Sequence, residues 1–365
     1  MASDIARLNT FGQSPWYDNL ARVLLQDGGL RRLIEDDGIR GVTSNPTIFE
    51  KAMGSGDEYD GGLKECEGAG LGIEDSYWRL VTEDVAKAAD LLRPLYDSTR
   101  GADGFVSIEV SPDLAHDTDG TCAQAKALFA ELARPNVMIK IPATAEGLPA
   151  ITATIAEGIN VNVTLIFALQ RHAAVIDAYL SGLEQLAASG GDLSKASSVA
   201  SFFVSRVDTE TDRRLPEHHP LRGKAAVANA KLAYHLFQGS FAGARWEALA
   251  QQGARLQRPL WASTSTKNPD YPPTLYIDEL IGQDTVNTLA PASIDALHDG
   301  QATLAADTVA VDVEGAQHII DQLGEAGIDF ADVTATLERE GVASFSASFH
   351  DAFNTLEKKR AEVAG

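Results

Sequence analysis

Eight short apolar segments recur along the chain, and each is followed by a longer segment whose apolar residues have helical spacing. Strands that alternate with helices favour βαβ units, which build parallel sheets. Eight such units are enough to close a sheet, so the pattern predicts an α/β protein that forms a (β/α)8 TIM barrel. The predicted strands are residues 14–18, 41–45, 104–110, 136–142, 160–166, 198–205, 259–263 and 287–291.

A doubly wound open sheet is the alternative arrangement of the same units. Such a sheet usually has a glycine-rich phosphate turn after its first strand, and residues 19–30 contain no such turn. The length of 365 residues suits one barrel with insertions. The clearest helical spacing lies in residues 75–92, 122–132, 167–188 and 223–237.

Residues 1–365 are therefore predicted to form a single barrel domain, with about 310–365 as a C-terminal helical extension packed on it. Within that extension, an apolar face recurs every three or four residues between 342 and 359, as in a helix. We expect this helix to cross the barrel as a partial lid. Residues 54–72, rich in glycine and acidic side chains, predict a long excursion after the second strand, with a flexible loop at 68–72.

The net charge of −22 argues against nucleic acid and anionic membranes as partners. Nucleic-acid binding depends on phosphate neutralisation by Lys and Arg, and an acidic surface also repels anionic membranes. No apolar run reaches the roughly 20 residues that span a bilayer. Two cysteines make no disulfide framework, so the chain is expected to be cytoplasmic. A small anionic substrate stays possible, because a pocket can be locally basic.

One face of seven predicted strands ends in a polar or ionisable residue. Side chains alternate along a strand, so the opposite face carries the apolar residues that meet the helices. In the seventh strand this assignment places Trp261 with Ser263, opposite Leu260 and Ala262. Active sites of such barrels lie at the C-terminal strand ends. The cluster expected there is Asp18, Asn45, Glu109, Lys140, Asn162 or Thr164, Ser201 and Ser263.

Lys140 alone among the eleven lysines lies inside an apolar strand. Burial of an ammonium group is costly unless the group is paired, and Glu109 on the neighbouring strand is the natural partner. The pair could be purely structural. Desolvation, however, favours the neutral amine, which attacks carbonyl carbons, so the pattern also fits a nucleophilic lysine.

Metal and cofactor sites are not expected. The sequence has no HExxH, no paired CxxC and no P-loop. The acidic residues at 117–120 resemble the start of a calcium loop, but the remaining ligands are out of register. This segment instead predicts a turn that leads into a helix N-terminus.

Five segments together resemble transaldolases of the longer bacterial type. Their order and spacing fit nearly the whole chain, and the TSNPT and NVTLIF stretches are specific in combination. The segments are residues 16–20 (WYDNL), 41–49 (GVTSNPTIF), 140–144 (KIPAT), 160–167 (NVNVTLIF) and 200–208 (ASFFVSRVD).

The resemblance implies a cofactor-free enzyme of the non-oxidative pentose phosphate pathway. A dihydroxyacetone unit would pass from sedoheptulose 7-phosphate or fructose 6-phosphate to glyceraldehyde 3-phosphate or erythrose 4-phosphate. Lys140 would form a Schiff base, and Asp18 would take the proton of the C4 hydroxyl. Glu109 and Thr164 would handle water and protons.

The same resemblance implies the residues that bind the substrate. Asn45, Asn162 and Ser201 would hold hydroxyl groups, and Phe203 and Arg206 match the substrate-binding segment. Shorter relatives carry a second arginine after the seventh strand, where residues 262–268 of this chain have none. Ser263, Ser265 and Lys267 are predicted in its place.

Two other functions stay open. A fructose 6-phosphate aldolase would release dihydroxyacetone, but such aldolases resemble this chain less, since they carry Gln at position 109 and Tyr at position 203. A non-catalytic barrel that binds sugar phosphates would be expected to lack Lys140, Asp18 or Glu109, and all three are present. The chain is expected to act as a monomer or homodimer.

Overall fold

Eight parallel strands close into a barrel, in sequence order, in this computed structural model, which describes residues 3–363. Each predicted strand overlaps one observed strand, so the predicted (β/α)8 barrel is confirmed. The strands are β1 Gln13–Tyr17, β2 Gly41–Thr43, β3 Phe105–Glu109, β4 Val137–Pro142, β5 Val161–Ile166, β6 Ser198–Phe203, β7 Arg258–Ala262 and β8 Thr285–Leu289.

At least one helix follows every strand. The helices are α1 Asp4–Thr10, α2 Arg22–Gln26, α3 Gly29–Glu35, α4 Pro46–Gly54, α5 Asp60–Gly68, α6 Ile73–Ser98, α7 Thr118–Leu132, α8 Gly147–Ala156, α9 Leu169–Ala188, α10 Ser205–Arg214, α11 Ala225–Ser240, α12 Ala244–Ala250, α13 Leu275–Asp278, α14 Pro291–His298, α15 Val313–Glu325 and α16 Phe330–Val363.

Helix starts follow local signals in the sequence. Asn45 caps α4 by accepting a hydrogen bond from the Ile48 amide, and Pro46 occupies the first turn, where its missing N–H costs nothing. Asp117 caps α7 through the Gly120 amide, which confirms the predicted turn and helix start. The four segments with the clearest helical spacing overlap α6, α7, α9 and α11.

Trp16 fills the barrel interior near the N-terminal ends of β2 and β3. Its Nε1 donates to Asp103 Oδ1 at 2.9 Å, and Arg40 pairs with the same carboxylate at 2.9 Å. Gly41 is required beside the indole, because a Cβ there would lie 2.5 Å from Trp16 Cδ2. The barrel interior next to β1 and β2 is therefore filled by side chains at this end.

The C-terminal extension packs on the barrel through α16, which contacts α4, α5, α6 and α10. Thr47 and Ser348 hydroxyls lie 2.8 Å apart across the α4–α16 contact, and Lys359 pairs with Asp60 at 3.2 Å. The predicted helix over 342–359 is part of α16, which is longer at both ends. Residues 1, 2, 364 and 365 of the predicted domain lie outside the described part of the chain.

The excursion at 54–72 contains a helix, α5, which buries Leu63 and Cys66 against the core. Of the predicted loop at 68–72, Gly68 is the last residue of this helix, and residues 69–72 connect it to α6. No helix described between residues 3 and 363 has the length and apolarity needed to cross a membrane.

Candidate active site

A cavity of about 280 Å³ opens at the C-terminal ends of the strands. Except for Glu109 and Asn162, every site residue predicted from the sequence lines this cavity. Those residues are Asp18, Asn45, Lys140, Thr164, Ser201, Phe203, Arg206, Ser263, Ser265 and Lys267. Glu109 and Asn162 lie directly behind the lining, each in contact with a residue that forms it.

Lys140 and Glu109 form a buried pair at the base of the cavity. Lys140 Nζ lies 3.1 Å from Glu109 Oε2, and only 5% and 8% of the two residues are exposed. The ammonium also donates to the Ser44 carbonyl at 3.0 Å. Burial raises the pKa of Glu109, although the neighbouring Lys140 ammonium opposes the shift. A raised carboxyl pKa beside an amine suits proton transfer between the two groups.

Asp18 follows the last residue of β1, where its backbone N–H donates to the Leu289 carbonyl at 2.9 Å. Its carboxylate Oδ1 accepts a hydrogen bond from Thr43 Oγ1 at 2.7 Å. Thr43 also lines the cavity, although it is not among the site residues predicted from the sequence. Asp18 is thus held in one orientation while it faces the cavity.

A row of hydrogen bonds connects the polar residues of β3, β5 and β6. Ser201 Oγ donates to Asn162 Oδ1 at 2.6 Å, and Asn162 Nδ2 donates to Ser107 Oγ at 3.0 Å. Thr164 Oγ1 is buried at the cavity wall and has no hydrogen-bond partner among residues 3–363. Because an unpaired buried hydroxyl is unfavourable, Thr164 is suited to bind a substrate or water oxygen.

Three cations converge at the outer part of the cavity: Arg206, Lys267 and Lys51. Burial lowers the pKa of Lys267, and the charges of Arg206 and Lys51 lower it further, whereas Asp18 raises it. In the described part of the chain, none of the three cations has a carboxylate within 4.0 Å. Such an excess of positive charge in an acidic protein favours an anionic ligand.

Two aromatic rings lie beside these cations. The Phe203 ring centroid is 5.2 Å from Arg206 Cζ. The Phe345 ring, contributed by α16, lies 5.9 Å from Arg206 Cζ and 5.8 Å from Lys140 Nζ. The terminal helix therefore forms part of the cavity wall, and its role as a partial lid stays a prediction.

The predicted orientation of the seventh strand is wrong. Leu260 and Ala262 line the cavity, whereas Trp261 faces outward and packs edge-on against Phe202. Ser263 still reaches the cavity because its φ of 58° places it in the left-handed region, which breaks the alternation of side chains.

Several lining residues were not found from the sequence: Thr43, Thr47, Ile48, Lys51, Thr264, Thr288 and Phe345. A signal existed for three of them. Thr47, Ile48 and Lys51 share one face of a helix that begins at Pro46, because they are spaced three and four residues apart. No local signal places Phe345 near the strand ends.

Known proteins resemble the chain over nearly its full length. A family model described as Transaldolase/Fructose-6-phosphate aldolase matches residues 15–356. The chain is 50% identical to a transaldolase of Thermobifida fusca (strain YX), covering 99% of each protein. It is 47% identical to one of Parafrankia sp. (strain EAN1pec), covering 100% of each. Identity to one of Mycobacterium leprae (strain Br4923) is 48%, covering 99% of this chain and 98% of the relative.

Proposed function

This chain belongs to the transaldolase family of transferases, and we propose that it transfers a dihydroxyacetone unit between sugar phosphates through a Schiff base on Lys140. The observation that carries the proposal is the buried Lys140–Glu109 pair, 3.1 Å apart, at the base of a cavity whose outer part is cationic. An amine at this place can reach the carbonyl of a sugar whose phosphate binds the cations.

The first step forms the imine. The neutral Lys140 amine attacks C2 of fructose 6-phosphate or sedoheptulose 7-phosphate. Glu109 supplies the proton with which the C2 oxygen leaves as water, and the unpaired Thr164 hydroxyl binds that water. Burial raises the pKa of Glu109, which favours the protonated carboxyl that can donate this proton.

The second step breaks the C3–C4 bond. Asp18 accepts the proton of the C4 hydroxyl, C4 becomes the aldehyde carbon of the leaving aldose phosphate, and the bonding electron pair moves toward the iminium. A three-carbon enamine stays on Lys140. The hydrogen bond from Thr43 keeps the Asp18 carboxylate aimed at the cavity for this transfer.

The third step reverses the second with a different aldehyde. C3 of the enamine attacks C1 of erythrose 4-phosphate or glyceraldehyde 3-phosphate, and Asp18 returns its proton to the new hydroxyl. Water then attacks C2 of the imine, with Glu109 as the base, and the amine of Lys140 is regenerated.

The hydroxyl groups of the donor are held by polar side chains of the cavity wall. Asn45 uses its Oδ1 to cap α4, so its amide nitrogen is the group available to the substrate. Ser201 donates to Asn162 and can accept from a donor hydroxyl. Asn162 is fully buried and contributes by orienting Ser201.

The phosphate group binds at the outer part of the cavity. Arg206 and Lys267 are the central cations, and the Ser263 and Ser265 hydroxyls add hydrogen bonds. Lys51 completes the set from α4. Two lysines on separate segments thereby replace the second arginine of shorter relatives. Phe203 stacks on the Arg206 guanidinium and holds it in place.

A transfer assay tests the proposal. The wild type should convert fructose 6-phosphate and erythrose 4-phosphate to sedoheptulose 7-phosphate and glyceraldehyde 3-phosphate, whereas Lys140→Ala should not. Lys126→Ala is the matched control, because Lys126 is exposed on α7 and pairs with Glu157. Release of dihydroxyacetone without sedoheptulose 7-phosphate would favour the aldolase instead.

We also propose that the chain acts as a monomer or a homodimer. Light scattering after size-exclusion chromatography tests this oligomeric state.

A further inference from the structure

The loop between β7 and α13 carries Lys267, and it is anchored on both sides of this residue. On the N-terminal side, the Ser205 amide donates to the Ser263 carbonyl at 3.0 Å. The Ser265 hydroxyl lies 3.0 Å from that of Ser293. These contacts fix the loop to the start of α10 and to α14.

The C-terminal anchor is Tyr271. Its hydroxyl donates to Asp212 Oδ2 at 2.5 Å, and Asp212 Oδ1 accepts from the Gly223 amide at 3.0 Å. Gly223 has a φ of +71°, and a Cβ there would lie 2.7 Å from Tyr271 Cζ. The glycine therefore lets the tyrosine ring lie directly against the segment that leads into α11.

A second tyrosine repeats the arrangement deeper in the protein. The Tyr276 hydroxyl donates to Asp208 Oδ2 at 2.8 Å, and Asp208 Oδ1 accepts from the Ala226 amide at 2.8 Å. Tyr276 and Asp208 are each only 1% exposed. Burial raises the pKa of Asp208 to about 6, so the carboxylate depends on these two donors.

Both acceptor carboxylates belong to α10, the helix that carries Arg206 near its start. Asp208 and Asp212 are four residues apart and thus share one face of that helix. The two Tyr–Asp pairs, called the tyrosine clamp here, therefore connect the Lys267 loop to the helix of Arg206.

Between these anchors lie residues 266–270. Within the described part of the chain, they make hydrogen bonds only to other residues of the same loop. The Asp270 amide donates to Asn268 Oδ1 at 3.0 Å, and the Tyr271 amide donates to the Asn268 carbonyl at 3.2 Å. The place of Lys267 is consequently set by the anchors at its two ends.

We propose that Tyr271 and Tyr276 are positioning residues, which fix Lys267 opposite Arg206 for binding the substrate phosphate. The inference rests on the proposed phosphate site and adds the device that assembles it. Neither tyrosine touches the substrate. A cation held in place binds an anion more tightly than one on a mobile loop, because less freedom is lost on binding.

A double-mutant cycle tests the proposal. Tyr271→Phe removes one hydroxyl and should raise the KM for fructose 6-phosphate roughly fivefold or more, with kcat nearly unchanged. Lys267→Met should also raise the KM. In the double variant the KM should equal that of Lys267→Met alone, because a positioning residue has no effect once the residue it positions is gone.

Tyr179→Phe is the matched control, since the Tyr179 hydroxyl donates to the Arg255 carbonyl at 2.8 Å, away from the cavity. It should leave the KM unchanged. Equal effects of the two Tyr→Phe variants, or KM changes that multiply in the double variant, would overturn the clamp. So would a lowered melting temperature with an unchanged KM.

Calorimetric titration with inorganic phosphate separates this inference from the proposed function. If the wild type binds phosphate but transfers nothing, the proposed chemistry fails, and the clamp is still tested. In that case the Tyr271→Phe variant should still bind phosphate roughly fivefold more weakly than the wild type, because the clamp acts on the phosphate site whether or not transfer follows. Unchanged phosphate affinity would contradict the clamp.

Discussion

His172 should make the protein lose stability in mild acid. The residue is fully buried on α9, its ring lies 5.5 Å from that of Phe202, and neither ring nitrogen has a hydrogen-bond partner among residues 3–363. Burial lowers the pKa of His172 from 6.5 to about 4, since an imidazolium without a counter-ion is unfavourable there. We therefore predict that His172→Phe reduces the acid sensitivity of folding.

The direction and the size of this change in stability follow from proton linkage. Above pH 6.5 both folded and unfolded chains carry a neutral His172, so pH has no effect through this residue. As the pH falls from 6.5 toward about 4, the unfolded chain binds a proton that the folded protein does not, and stability falls. At about 1.4 kcal/mol per pH unit, the total loss approaches about 3 kcal/mol.

Denaturant unfolding at several pH values between 7 and 4.5 measures the effect. The carboxylates titrate in both proteins, so the difference between wild type and His172→Phe isolates one proton. The free energy of unfolding of the variant should fall less steeply, by about 1.4 kcal/mol per pH unit. His318→Gln, an exposed control on α15, should follow the wild type. Parallel curves for wild type and His172→Phe would refute the reasoning.

Three further changes test the cavity and the barrel. Lys51→Met should raise the KM for fructose 6-phosphate about five- to tenfold, as expected for loss of one charged contact. Steady-state kinetics measure this rise, and Lys64→Met, which changes an exposed lysine of α5, is the control. Phe345→Ala should cost about 3 kcal/mol of stability and also raise the KM, because the ring is buried over the cavity; equal KM values would argue against a lid. Gly41→Ala should destabilise the barrel by about 1–3 kcal/mol in thermal unfolding, because the new methyl group meets the Trp16 indole.

The barrel and most of the strand-end residues could be predicted because both depend on short-range regularities. Alternation along one strand places Lys140, Glu109 and Ser201 on the inner face, whatever the rest of the chain does. Parallel strands bring their C-terminal ends together, so residues far apart in sequence meet without any knowledge of their contacts.

Features set by irregular backbone or by distant packing could not be predicted in this way. Ser263 adopts a left-handed φ that nothing in the local sequence indicates. Simple alternation along the strand therefore predicts the wrong inner face for β7. Phe345 reaches Lys140 only because α16 crosses the barrel end. The pairing of Tyr271 with Asp212 likewise depends on how the loop folds onto α10.

The central claim is that Lys140 carries the three-carbon unit between two sugars, and reductive trapping tests it most directly. Wild type is mixed with fructose 6-phosphate, reduced with borohydride, digested and analysed by mass spectrometry. The predicted result is a three-carbon adduct on Lys140 that is absent from Lys140→Ala and disappears when erythrose 4-phosphate is added before the reductant. An unmodified Lys140, or an adduct mapped to Lys51 or Lys267, would contradict the account.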